Sequence, residues 1–203
     1  MGRNLIISFF MLASLPLAAQ NDEVPPTWEA RNFFYVSPVD LFLNTLELGY
    51  ERKLANQNSV AILGGFKLSQ KDGYFNRLGG HGEFQYRINL HYKKSNGGIV
   101  HQRFSTYGYF APFALFRYEQ IVDAYSSDVS SSLNSTTFVN SGFTGVGFGL
   151  RLTGLESRFS MNFFAGGGIK YSDVTGQKSY EDFLQVGYTG ITPKISFQMG
   201  IAF

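Results

Sequence analysis

From Pro193 to Phe203 the chain alternates without interruption. Pro193, Ile195, Phe197, Met199, Ile201 and Phe203 fall on one side, and Lys194, Ser196, Gln198, Gly200 and Ala202 on the other. A period of two is that of a β-strand, whose successive side chains leave opposite faces of the sheet. Residues 76 to 91 repeat it, with Leu78, Gly80, Gly82, Phe84, Tyr86, Ile88 and Leu90 against Gly79, His81, Glu83, Gln85, Arg87, Asn89 and His91. So do residues 44 to 54, where Arg52 is the one charge on the apolar side. The same pattern predicts strands over 58 to 69, 138 to 153 and 158 to 172. Residues 104 to 119 are apolar on both faces, and only Arg117 and Glu119 indicate which side turns inward. Phe33 to Ser37 is an eighth candidate, because a closed barrel with both chain ends on one side needs an even number of strands.

The spacers sort by length. Turns at 55 to 57, 92 to 103 and 154 to 157 fall at one end, and loops at 38 to 43, 70 to 75, 120 to 137 and 173 to 189 at the other. The two longest gaps share an end, as in transmembrane barrels. Two details resist: 92 to 103 is long for a turn, and Pro38-Val39-Asp40-Leu41-Phe42-Leu43 is apolar for a loop, which suggests a kinked first strand. The pattern predicts no helix and no second domain. Ser126 to Thr137 is serine-rich and reads as a loop tip.

Met1 to Gln20 has the layout of a secretory signal, with Arg3, an apolar run from Leu5 to Leu17 and the small pair Ala18-Ala19. The expected organisation is a signal peptide over 1–19, a periplasmic N-terminal segment over 20–32 and a barrel over 33–203. Loss of Arg3 takes the 17 Lys and Arg to 16 against 15 Asp and Glu, too even a balance to argue for nucleic acid. The absence of cysteine removes disulfides, thiol chemistry and lipid attachment at the cleavage site. With 17% aromatic residues and 23 glycines, the chain is rich in apolar groups yet has a mean hydropathy of −0.07. That combination arises when lipid-facing and inward-facing residues alternate.

Alternation alone does not separate a membrane barrel from a soluble one, since exchanging the two faces leaves the period unchanged. Composition separates them. The polar face collects Glu47, Glu51, Lys53, Lys67, His81, Glu83, Arg87, Arg117, Glu119, Arg151, Lys170 and Lys194, interspersed with Gly145, Gly147, Gly149, Gly166 and Gly168. Glycines leave room for long side chains in a narrow interior, which a water-facing surface does not require. The expectation is therefore an all-β, eight-stranded antiparallel transmembrane up-and-down β-barrel in the outer membrane of a Gram-negative bacterium. A barrel of eight strands has a lumen just wide enough for its own side chains, so these charges should pair into a plug. Glu83 and Arg87 share a face but stand about 13 Å apart along one strand, and Lys67 and Glu119 on the flanking strands are their candidate partners.

Leu48-Gly49-Tyr50-Glu51-Arg52-Lys53-Leu54, the Gly-Gly-Gly-Ile-Lys-Tyr run at 166 to 171 and the ending from Pro193 to Phe203 resemble the small outer-membrane β-barrel proteins of Bacteroidota. The resemblance implies a fold and a compartment; many such proteins have no assigned activity, and it transfers no catalytic residue.

Other chemistries find little support. Gly145, Gly147 and Gly149 superficially look like a phosphate loop, but the spacing of two lies inside a strand with no following helix. His81 and His91 would stand about 33 Å apart on one strand, and His101 lies in a connection, so no metal site or cofactor is expected. His81, Glu83 and a serine such as Ser69 or Ser160 have the residue types of a hydrolytic triad, but inventory is not geometry. The expected role is that of a structural, surface-interaction or accessory barrel, not an enzyme. A narrow small-solute channel is the alternative, and a lipid-modifying enzyme the third. The expected partners are outer-membrane lipids, the barrel-insertion machinery, for which Phe197, Met199, Ile201 and Phe203 form the C-terminal signal, and a larger outer-membrane complex.

Overall fold

The computed structural model describes residues 30–54, 58–72, 75–90, 104–123, 136–154, 157–176 and 187–203. The expected signal segment, the 92 to 103 connection and the serine-rich tip at 126 to 135 lie outside these residues. Eight strands close into a barrel in which each pairs antiparallel with its chain neighbour and β8 returns to β1. They are β1 (Asn32–Val36), β2 (Thr45–Lys53), β3 (Ser59–Asp72), β4 (Phe75–Leu90), β5 (Phe104–Asp123), β6 (Thr136–Gly154), β7 (Phe159–Thr175) and β8 (Gly190–Ala202). The seam is latched where Asn32 N–H donates to Phe203 O at 2.9 Å and Phe203 N–H donates to Asn32 O at 2.8 Å.

Register sets the tilt. From Phe34 the pairing runs through Tyr50, Ile62, Phe84, Ala114, Thr144 and Ile169 to Ile191. Yet Phe34 also pairs directly with Ile201 across the seam, a stagger of 10 between positions 191 and 201 of β8. For eight strands that stagger corresponds to a tilt of about 40° and a radius of about 8 Å.

The two faces separate as the alternation predicts. Glu51, Arg87 and Arg151 are fully buried, whereas Phe66, Phe116 and Ile195 on the outer wall are 68%, 71% and 84% exposed. The ambiguity between an apolar-in and an apolar-out barrel is thereby resolved in favour of the second. Charge does not fill the lumen alone. β5 turns Tyr109, Ala111, Phe113 and Leu115 inward, where they cluster with Phe143 and Phe164. The inward glycines serve these rings as much as the charges: a Cβ at Gly149 would overlap the Tyr109 ring, and one at Gly65 the His81 ring.

One expectation fails at the first hairpin. Residues 38 to 43 are not a kinked strand but contain a helix, α1 (Pro38–Phe42). Ser37 is its N-cap, its Oγ accepting from Asp40 N–H, and Pro38 occupies the start of the first turn. A capping hydroxyl, a proline without an N–H to satisfy and an acid in the first turn each favour a helix start.

The wall is uneven in height. β1 has 5 residues and β2 has 9, while β5 has 20. Pairing of β8 with β1 covers only Met199 to Ala202, and pairing of β3 with β2 ends at Lys67. Among the described residues, the upper parts of β8 and β3 therefore flank a notch above the short β1–β2 hairpin. α1 packs against β2 and β8 at its foot, and Ser37 Oγ lies 3.1 Å from Phe197 O.

Candidate functional site

The lower lumen is organised around Glu51. Arg87 Nη1 on β4 donates to its carboxylate at 2.6 Å and Arg151 Nη1 on β6 donates from the other side. Ser59 Oγ donates at 2.5 Å and Tyr35 OH at 3.1 Å. Two guanidinium groups thus share one carboxylate away from solvent. Among the described residues Arg87 Nη2 and Arg151 Nε and Nη2 have no hydrogen-bond acceptor, but the Arg87 guanidinium carbon lies 4.8 Å from the Tyr109 ring centre and that of Arg151 4.4 Å from Phe33. Aromatic faces stand in for acceptors on the surplus charge. Lys53 Nζ, 5.0 Å from the Tyr107 ring, adds a further cation to this layer.

Hydrogen-bonded chains climb from it. Arg87 Nε donates to Gln85 at 2.8 Å, Gln85 donates to Glu83 at 2.7 Å, and Lys194 Nζ from β8 donates to Glu83 at 2.5 Å. In parallel, Tyr109 OH donates to Asn162 at 2.8 Å, Asn162 to Gln198 at 2.9 Å and Gln198 to Glu47 at 3.1 Å. His81 Nε2 meets the other Glu47 oxygen at 2.9 Å. Farther up, Glu119 holds Lys67 at 3.3 Å and Arg117 at 4.0 Å.

Most of the expected lumen charges therefore meet, but with different partners. Glu83 pairs with Lys194 rather than Lys67, and Arg87 with Glu51 rather than Glu119. The reason is register. Lys67 and Glu119 both oppose Gly79, across which they join, since a Cβ at Gly79 would come within 2.9 Å of Glu119 Cγ. A lumen this narrow lets side chains from non-adjacent strands meet. Lys170 also points inward, from β7, and is buried.

At the α1 end lies a cavity of about 270 Å³. It is lined by Asp40 and Glu47 on one side and by His81, Arg117, Lys170 and Lys194 on the others. Thr192 and Ser196 flank Lys194 on β8, and their hydroxyls have no hydrogen-bond partner among the described residues. The Asp40 carboxyl is held above its ordinary value, chiefly by burial; repulsion from Glu47 adds to this, while the Ser37 hydrogen bond, His81 and Lys194 oppose it. On the outer wall, Gly80, Gly82 and Gly142 leave a depression of about 900 Å³ beside Phe116 and Tyr118.

Among the described residues the triad types do not converge. His81 meets Glu47 instead of Glu83, and Ser160 is buried, 3.4 Å from Thr153 Oγ1. The side chain of Ser69 and all of His91 and His101 lie outside the described residues. Gln85, Asn162 and Gln198 join the network although they carry no charge, and Asp40, held by Ser37, reaches the cavity from α1. Parity already placed Gln85 and Gln198 on the polar face, and Ser37-Pro38-Val39-Asp40 carries a helix-start signature. Comparison with protein-family models, with curated proteins and with solved structures finds no match.

Proposed function

We propose that this chain is an integral outer-membrane protein whose lumen is closed by its own side chains, and that it serves a structural, surface-interaction or accessory role. The observation that carries the reading is the inverted polarity of the wall, apolar outside and charged inside. The outward positions of β6 run Leu152, Leu150, Phe148, Val146, Thr144 and Gly142 before Asn140 ends the apolar run. Those of β7 run Met161, Phe163, Ala165, Gly167, Ile169 and Tyr171 before Asp173, the residue paired with Asn140. At about 3.3 Å per residue and a 40° tilt, each run rises about 25 Å, the height of the apolar band of transmembrane barrels. Tyr118 and Tyr171 mark one rim of this band, and Arg52 lies near the other.

The Glu51 layer argues for closure. A conducting path would have to pass Arg87, Arg151, Phe33, Tyr35 and Tyr109, each no more than 1% exposed. With the lower lumen filled, the wall and the loop end are the surfaces open to partners. The similarity to small Bacteroidota barrels supports the same compartment. The test is planar-bilayer recording of purified protein that shows heat-modifiable migration. The reading expects a silent bilayer, and discrete, ion-selective steps from wild-type protein would overturn it in favour of a narrow channel.

A further inference from the structure

The notch in the wall and the polar cavity meet along the same stretch of β8. Because Phe203 exchanges both backbone bonds with Asn32, strand alternation turns the backbone polar groups of Ile191, Pro193, Ile195 and Phe197 toward the β1 side. Only Phe197 O receives a donor there among the described residues, from Ser37 Oγ. Pro193 has no N–H to leave open, as befits an edge position. In the proposed orientation this edge stands at membrane depth, where a bare sheet edge is tolerated only if it borders a polar cavity.

We infer that this side opening admits the headgroup of an anionic, phosphate-bearing lipid from the bilayer, and that the cavity behind it binds the phosphate. Arg117, Lys170 and Lys194 converge on the cavity from β5, β7 and β8, Lys194 while also holding Glu83 and Arg117 while 4.0 Å from Glu119, and Asp40 and Glu47 line the facing side. Thr192 and Ser196 place two unpartnered hydroxyls on either side of Lys194, two residues away along the inward face. Cations on several walls with flanking hydroxyl donors match a group with several acceptor oxygens. The apolar part of the ligand has its own contacts. Ile191 and Ile195 are 80% and 84% exposed on one jamb, and Phe42 and Leu43 of the α1 segment are 71% and 64% exposed at its foot. A soluble anion would use the cations but not these jambs, which is why the membrane is the source.

This inference rests on the membrane reading, and the experiment separates the two. Wild-type protein is folded into mixed micelles containing equal phosphatidylglycerol and phosphatidylcholine, and bound lipid is read by native mass spectrometry. Retention of one phosphatidylglycerol over phosphatidylcholine by about tenfold is expected, with loss of that preference in Lys170→Gln/Thr192→Val. Arg52→Gln, at the far rim, should keep it. Ser196→Ala, which removes one hydroxyl without touching a charge, provides a milder variant that should weaken the preference if the double variant does not fold. Equal retention of both lipids, an unchanged preference in the cavity variants, or binding of inorganic phosphate that displaces phosphatidylglycerol at equal concentration would each overturn the inference. Failure of the wild type to insert into vesicles would instead overturn the membrane reading.

Discussion

Replacing Glu51 with glutamine leaves Arg87 and Arg151 facing one another with no counter-charge in a layer closed to water. Removing one partner of a buried ion pair costs about 3–5 kcal/mol, because the remaining charge stays desolvated. Here two guanidinium groups lose the same carboxylate, so the loss should reach the upper part of that range, although a glutamine oxygen can still accept one hydrogen bond. Arg151→Met differs in kind. Glu51 would keep Arg87, Ser59 and Tyr35, and one of the two crowded cations would be gone, so its cost should be less than half as large. The double variant Glu51→Gln/Arg151→Met should then be more stable than Glu51→Gln alone by about 1–3 kcal/mol, so that the two single losses are far from additive, as for contacting residues. The assay is reversible urea unfolding from lipid vesicles, followed by fluorescence and by heat-modifiable migration. A loss below about 1 kcal/mol for Glu51→Gln, with no coupling to Arg151, would refute the reasoning, since solvated charges gain little from one another.

Glu83→Ala should couple to Lys194→Ala but not to Lys67→Ala in the same unfolding assay, and the reverse result would mean that Lys67 is its partner. Val146→Arg, at the middle of the apolar run of β6, should cost about 2–4 kcal/mol, against at most about 1 kcal/mol for Leu152→Arg at its end; equal costs would contradict the depth assignment. The raised Asp40 value means that the folded state holds its proton more tightly than the unfolded state, whose value is 3.8. Wild-type stability should therefore fall relative to Asp40→Asn as pH rises from about 4 and level off above the folded-state value, and a relative rise over that interval would show that His81 and Lys194 dominate instead.

How far the fold could be read depended on what alternation encodes. β4, β6, β7 and β8 carry a clean period of two, and every charge assigned to the inner face from Glu47 to Lys194 lies on it. Even the doubly apolar β5 was oriented correctly by Arg117 and Glu119 alone. Parity assigns a face, however, and not a depth. Depth follows from the 10-residue stagger, which no single strand contains, so Glu83 could not be matched to Lys194 on a strand 111 residues away. α1 was missed for another reason. Val39, Leu41 and Leu43 mimic strand alternation, and their apolar character outweighed the Ser37-Pro38 start signal. In the structure those residues sit beside the notch, where a membrane reading makes apolar side chains the expected choice. The cavity was illegible because Asp40 reaches it from a connection and Lys170 and Lys194 from strands joined by a long loop.

The central claim, a barrel that presents its apolar face to lipid and its charges to a closed lumen, is tested most directly by spin-label scanning of β6 from Gly142 to Leu152 in lipid vesicles. Even-numbered positions should be accessible to oxygen and shielded from a water-soluble nickel complex, with the contrast greatest near Val146, while the odd-numbered Phe143, whose side chain already fills inward space, should be shielded from both. Accessibility of the even-numbered positions to the nickel complex along the whole strand would contradict the account.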